Sequence, residues 1–384
     1  MSLSVAIITT DKREHDRNYT ESAPSFGTAP EALFQGFAHL PGIEIHVISC
    51  TQQPVSALPR LAHNIWFHNL HVPKIGWMRT FYQGCIRATR RKLKEIHPDI
   101  VHGQGTERDC ALDAVLSGFP NILTIHGNMT AVAEFYRSRI GSFYWLAGKL
   151  ETFALSKTIG VFCNSSYTES RVRPRARKIW RVPNAVRLPF FQSTPGRPKN
   201  ERAVLLNLGV LSPYKRQSEV LAMATRLWQR GLRFEIRFAG TIQPDSAYDR
   251  DFLKQLKEAE TAGYARHLGS LPIEQLIAAM DDADALVHCP EEESFGLVVA
   301  EALARNLKLF GMSVGGVVDI ADGVDQAELF PRNNFTAMEN AIARWIENGY
   351  PRPGQAAAIM EMRYHPDVIA RRHLEIYREV LNKR

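Results

Sequence analysis

The chain has 384 residues, 47 lysines and arginines against 40 carboxylates for a net charge of +7, and is 45% hydrophobic and 23% charged. That is a globular composition, long for one core and comfortable for two, and no run approaches the roughly 18 apolar residues a membrane span needs. The five scattered cysteines include no C-x-x-C, which excludes a disulfide framework or a zinc site read from spacing, and the positive charge favours an anionic partner: nucleotide phosphate, nucleic acid or an acidic membrane surface.

The N-terminus passes from a short apolar strand straight into charges without a signal-peptide core, so a cytoplasmic location is expected. The first half alternates β-rich runs with helical patterns, predicting strands over 5–9, 43–49, 100–102, 121–125, 158–164 and 178–182, and helices over 31–40, 78–96 and 143–156. Strand then helix, repeated, implies a parallel sheet covered on both faces, whose ligands lie at the carboxyl ends of the strands. The loop after the first strand contains Gly27, readable as a hinge, a close approach to phosphate or a plain turn; His126 and Gly127 follow the 121–125 strand at its carboxyl end.

Between 63 and 94 the chain mixes Trp66, Phe67, Trp77, Phe81 and Tyr82 with Lys74, Arg79, Arg87, Arg90 and Arg91. Such a segment is either a contact with an anionic membrane or a core-facing helix with a solvated charged side. Basic residues cluster in 87–94 and again in 171–178.

From 182 to 202 the pattern breaks into Pro, Gly, Ser and charge, the best linker in the chain. A second strand-helix series follows, with strands over 203–208, 233–239, 266–268, 285–287 and 307–310, and helices over 217–230, 247–262, 273–280 and 295–305. The expected domains are 1–186 and 187–364, facing each other, with a final helix in 365–384. Where the second series begins, the turn Gly209 to Gln217 sets Lys215 and Arg216 at a strand-to-helix junction, favourable for a diphosphate.

Glu291-Glu292-Glu293-Ser294-Phe295-Gly296-Leu297, running on to Glu301, is the most informative stretch. Acids beside a helix N-terminus are stabilised by its dipole whether or not they bind anything. Here the helix-start amides could hold a ligand oxygen while Glu293 and Glu301 accept from hydroxyls; eight helical residues advance about 12 Å, the reach of one extended polar ligand such as a nucleotide-sugar. Glu291 and Glu292 read as bystanders.

These residues resemble the retaining glycosyltransferases of family 4, two Rossmann-like doubly wound α/β domains in the GT-B arrangement. The matching pieces are Gly209 to Lys215, the E-x7-E block Glu293 to Glu301 with Phe295-Gly296, the double glycine Gly315-Gly316, and in the first half Gly27 to Pro30, His126-Gly127 and Val182-Pro183-Asn184. The resemblance implies transfer of a sugar from a nucleotide diphosphate sugar to an acceptor hydroxyl, with the second domain holding the donor, the first the acceptor, and the last helix crossing back. Polysaccharide, lipopolysaccharide or glycolipid synthesis is the expected setting, with a saccharide or lipid-linked acceptor at the membrane face, and neither metal nor cofactor is implied. By the same resemblance Glu293 contacts sugar hydroxyls, Ser294, Phe295, Gly296 and Leu297 line the sugar or phosphate, and Glu301 binds the ribose. Lys215, with Gly209 and Arg216, meets the diphosphate, His126 the transferred sugar, and Gly27 the phosphates. Val210 stands where the family often has Arg, Thr28 where it has a second glycine, and Asp319 where Glu is common. An inactive sugar-nucleotide-binding paralogue, a GT-B epimerase or phosphorylase and a basic nucleic-acid-binding protein are the competing readings.

Overall fold

Apolar strands and the helices between them assemble into two separate sheets in the computed structural model, which describes residues 2–56, 58–192, 200–242, 246–325 and 327–382. One unit comprises Met1–Arg187 with Tyr364–Arg384, the other Leu188–Arg363. Part of the 182–202 linker reading falls on 193–199, outside the described residues.

The first sheet contains β1 (Leu3–Ile8), β2 (Ile43–Thr51), β3 (Arg60–Ala62), β4 (Ile65–His71), β5 (Ile100–Gln104), β6 (Asn121–Ile125), β7 (Gly160–Cys163) and β8 (Ile179–Arg181), in the order β3-β4-β2-β1-β5-β6-β7-β8. Every pairing is parallel except β3 with β4. Alternate side chains of β1 enter opposite cores: Val5 and Ile7 one, Ala6 and Ile8 the other. This is the period-two arrangement of a strand covered on both faces.

Two expectations fail here. The 63–94 segment begins as strand β4, with Ile65 and Phe67 buried beside β2, and the helix expected from 78 starts only at Gln83. Phe81 and Tyr82 adopt left-handed backbone angles (φ 51° and 61°), which interrupts the helix and turns Tyr82 inward. Trp77 is also buried, its Nε1 donating to the Val72 carbonyl at 2.9 Å, and Trp66 stacks on His46. Of the five aromatics considered for a membrane contact, Phe81 is the one that is exposed.

The last helix, Pro366–Asn382, packs on the helix Thr28–Ala38 within this unit. Gly36 makes that close approach possible, since a Cβ there would lie 2.2 Å from the Pro366 carbonyl oxygen. Replacing Gly36 by Ala should therefore force the two helices apart and cost about 2–4 kcal/mol in thermal or denaturant unfolding. An unchanged melting curve would contradict this packing.

The second sheet contains β9 (Ala203–Leu208), β10 (Phe234–Ala239), β11 (Ala265–His267), β12 (Ala285–His288), β13 (Lys308–Met312) and β14 (Ala327–Phe330), all parallel, in the order β11-β10-β9-β12-β13-β14. The order reverses between β9 and β12, the place in an open parallel sheet where loops diverge and leave a crevice. In the first sheet the equivalent place lies between β1 and β5.

Candidate active site

The turn leaving β9 and the loop leaving β12 meet at that reversal point. Gly209 follows β9 with φ 145°, a conformation that suits glycine, and its N–H donates to the Ala239 carbonyl at 2.9 Å. Gln217 then fastens the turn: its Oε1 accepts from the Ser212 N–H at 3.2 Å and its Nε2 donates to the Val210 carbonyl at 3.1 Å. Lys215, held on this turn, reaches Glu293 with Nζ 2.6 Å from Oε2.

Glu293 also lies 3.3 Å from Nε2 of His288, the last residue of β12. Burial alone would raise the Glu293 carboxyl, but the Lys215 ammonium and His288 outweigh it and hold the group down at about 2. His288 is pushed below its ordinary value by burial, against the pull of Glu293. The triad is a carboxylate kept ionised by an ammonium, with an imidazole behind it.

A carboxylate whose pKa is lowered on folding contributes stability above its unfolded value, about 4.3, and loses it as pH falls towards the folded value. Glu293→Gln should therefore lie below the native protein in stability at neutral pH, with the gap closing between about pH 4.5 and pH 2. Glu235, also held at about 2, titrates in both proteins and cancels from the comparison. A gap that stays constant over that range contradicts the assignment.

The loop 293–296 is shaped from behind by two glycines. The Gly316 N–H donates to the Glu293 carbonyl at 2.9 Å; a Cβ on Gly315 would lie 1.7 Å from that same oxygen, and one on Gly316 2.6 Å from Phe295 Cα. Phe295 is buried, Ser294 and Leu297 are half-buried, and Gly296 (φ 101°) opens the helix Leu297–Ala304. Glu293 thus precedes the helix rather than starting it, so its relation to Glu301 is set by the loop and not by eight residues of helical rise. Glu301 is buried on the helix.

Arg216 and Glu291 are tied into a network of their own. The Arg216 guanidinium is occupied by Glu219 at 3.1 Å, Glu291 at 3.4 Å and Asn333, and lies 4.7 Å over the Phe335 ring. Glu291 also takes Arg332, and its N–H donates to the Tyr214 carbonyl at 2.8 Å. Glu291 is therefore no bystander: it ties the β12 loop to the Lys215 turn. Val210 is exposed.

In the first unit, His126 follows β6 and its Nε2 lies 2.7 Å from Gln104 Oε1 at the end of β5. Burial pushes its pKa down to about 4, with a hydrogen bond to the Asn184 side chain acting the other way, so the ring is neutral at physiological pH. Gln104 in turn meets His102, which is 2.6 Å from Tyr377 of the last helix. Buried Glu151 organises the loop after β6, accepting from the Met129 N–H at 2.9 Å and from Thr106 Oγ1 at 2.8 Å while paired with Arg175. Gly27 has an ordinary φ of −61° and room for a Cβ, its nearest neighbour being Pro30 Cδ at 3.6 Å, so nothing within this unit requires glycine there.

A cavity of about 520 Å³ opens at the reversal point of the first sheet, lined by Glu14 after β1, Glu107 and Arg108 after β5, Trp77 and Tyr82, and Phe143. The basic run 171–178 is largely neutralised within the unit, with Arg171 on Glu134, Arg173 on Glu169, Arg175 on Glu151 and Lys178 on Glu379. Among the described residues one group has metal-ligand chemistry in range, Cys50, Cys85 and Asp109, with donor atoms within 4.8 Å of one another. The hydrogen bond with Cys85 and burial push the Cys50 thiol well up, while Cys85, against the hydrogen bond with Cys50, is carried up to about 11 by burial and the charges of Asp109 and Asp113, which disfavours the thiolates a metal needs.

Residues 32–189 match the family model described as Glycosyltransferase Family 4, and residues 191–360 that described as Glycosyl transferases group 1. No curated protein sequence matches the chain. Similar solved structures include sucrose-phosphate synthase from Thermosynechococcus elongatus (16% identity, 100% of both chains, TM-score 0.78). Anabaena HepE in complex with UDP and glucose is similar over 98% of this chain and 100% of its own, at 13% identity and TM-score 0.69. The apo form of the lipopolysaccharide outer core galactosyltransferase WaaB is similar over the same shares, at 15% identity and TM-score 0.70.

Proposed function

The chain belongs to the family 4 glycosyltransferases of GT-B fold, and from that premise we propose that it moves a glycosyl unit from a nucleotide diphosphate sugar to an acceptor hydroxyl with retention of anomeric configuration and without a metal. The observation that carries this reading is the Lys215–Glu293–His288 cluster at the reversal point of the second sheet. Lys215 supplies a positive charge where negative charge grows on the departing diphosphate, and the first amides of the helix Leu297–Ala304 add to it. A Lys ammonium has three donors, so it can keep Glu293 and bind a phosphate oxygen together. Glu293, ionised, accepts from sugar hydroxyls, and Glu301 from the ribose.

The C1–O bond to the diphosphate breaks as the acceptor oxygen bonds C1 on the same face, and the acceptor proton passes to the departing phosphate oxygen, releasing nucleoside diphosphate. Glu293 is neither nucleophile nor base in this scheme. In this scheme His126 lies beside the transferred sugar and Gly27 by the phosphates, the roles the resemblance implies. Arg216, committed to Glu291 and Asn333, serves to hold the Lys215 turn. The donor domain is the second unit and the acceptor domain the first, where the cavity beside Trp77 and Arg108 has the mix of ring faces and charges that a saccharide or lipid-linked acceptor would use. HepE has been crystallised with UDP-glucose, which makes uridine sugars the first donors to try.

The test is a panel of nucleotide diphosphate sugars, read by nucleoside diphosphate release in the presence of a chelator and by the anomeric configuration of the product. An inverted product sinks the mechanism; activity abolished by the chelator and restored by a divalent ion sinks metal independence.

A further inference from the structure

Every exposed aromatic side chain among the described residues lies in the first unit: Phe81, Phe135, Tyr136, Phe143, Tyr144 and Phe153. Four of them, with Ile140, sit at the end of the helix Met129–Phe135, the start of the helix Phe143–Lys157 and the turn between. Tyr136 stacks on Tyr144 with centroids 5.3 Å apart; Phe135 meets Tyr136 at 5.0 Å and Phe143 meets Tyr144 at 5.4 Å, so the rings form one outward-facing cluster. Ile140, 85% exposed, stands beyond them, next to Gly141, around which a Cβ would meet nothing. The connection is a formed turn, with the Arg137 N–H donating to the Glu134 carbonyl at 3.0 Å, Ser138 to Ala133 at 2.9 Å and Ser142 to Arg139 at 3.0 Å.

A second projection borders the same cavity. Trp77, Met78 and Tyr82 line it together with Phe143 and Tyr144, and next in sequence to the former group Ile75 is 74% and Phe81 53% exposed. Both projections carry cations: Arg137 and Arg139 on one, Lys74 and Arg79 on the other, with exposed Arg87, Arg90, Arg91 and Lys94 on the following helix, and no carboxylate from 73 to 94. Isolated exposed hydrophobics are ordinary, but a ring cluster and two projecting isoleucines beside a stretch of cations free of carboxylates from 73 to 94 are the composition of an interfacial surface.

We infer that these two projections form a docking surface for an anionic phospholipid bilayer, with the cavity that both line turned towards the lipid. Aromatic rings and isoleucines enter the headgroup region while the arginines and lysines meet lipid phosphates. Of the aromatics of the 63–94 segment only Phe81 belongs to this surface, together with that segment's exposed cations; the surface stands on exposure and charge, and only its use, presenting a membrane-held acceptor to the cavity, rests on the transfer reading.

The test is flotation of the full chain with vesicles of phosphatidylcholine alone and of equal parts phosphatidylcholine and phosphatidylglycerol, without substrate. Binding to the anionic vesicles is expected, weakening as salt rises. Ile75→Ser with Ile140→Ser should weaken it by about tenfold or more, and Arg137→Gln with Arg139→Gln by a comparable factor, both with unchanged melting temperature and unchanged stabilisation by nucleoside diphosphate. No binding to anionic vesicles, or binding that these variants leave intact, overturns the inference. A protein that is dimeric in solution, becomes monomeric on Ile140→Ser and ignores vesicles assigns the face to a second copy instead. Failure of any of these arms leaves donor turnover, measured with a soluble acceptor, to be judged separately.

Discussion

Lys215→Ala should lower turnover of the nucleotide diphosphate sugar by about two to three orders of magnitude, with the loss concentrated in kcat. The ammonium is the cation that reaches the ionised carboxylate at the reversal point, 2.6 Å from Glu293, whereas Arg216 is held by Glu219, Glu291 and Asn333. Removing it takes away the charge that meets the developing diphosphate. It also leaves Glu293 with burial no longer opposed by its main cationic neighbour, so the carboxyl pKa rises from about 2. Lys215→Arg should recover part of the activity, because charge returns on a different fork of donors. Activity within threefold of the native level in Lys215→Ala would remove Lys215 from the mechanism.

Gly315→Ala should be the second severe lesion, abolishing donor binding without touching any group proposed to contact the donor. Its φ of 51° disfavours any Cβ, and that Cβ would sit 1.7 Å from the Glu293 carbonyl oxygen. The loop 293–296 must then move, and with it the Glu293 carboxylate and the helix opening at Gly296. Loss of about 2–4 kcal/mol in the stability of the second unit should accompany the loss of nucleoside diphosphate binding. Gly36→Ala, which strains the first unit, is the control: it should destabilise the protein while sparing nucleoside diphosphate affinity at temperatures where it is folded.

Periodicity and turn chemistry made the parallel sheets legible, because buried strands such as Ala203–Leu208 and Asn121–Ile125 are short apolar runs closed by Gly, Asn or His. β4 escaped because Ile65–His71 carries Trp66 and His68 on its less buried face, and Asn69 interrupts the apolar one, so it reads as part of a mixed aromatic-basic segment. β14 escaped for a related reason: in Ala327–Phe330 only Phe330 is fully buried, an edge pattern too short to show alternation. At the site, residue types and order along the chain pointed to Lys215 and Glu293, but not to their ion pair across 78 residues. His288 had a signal that was available, a His closing a strand immediately before the acidic loop. Gln217 and Asn333 had none, since their roles follow from where a turn and a helix end in space. The double glycine matched the family pattern, and the close approach of the Glu293 carbonyl supplies the physical reason for it.

The central claim is that the second unit holds a nucleoside diphosphate through Lys215. Its most direct test is the stabilisation of the protein by a panel of nucleoside diphosphates, measured on the native chain and on Lys215→Ala. One nucleoside diphosphate should stabilise the native protein by about 2.7 kcal/mol at a hundred times its dissociation constant, and the same concentration should stabilise Lys215→Ala far less. No stabilisation by any nucleoside diphosphate, or equal stabilisation of both proteins, would contradict the account.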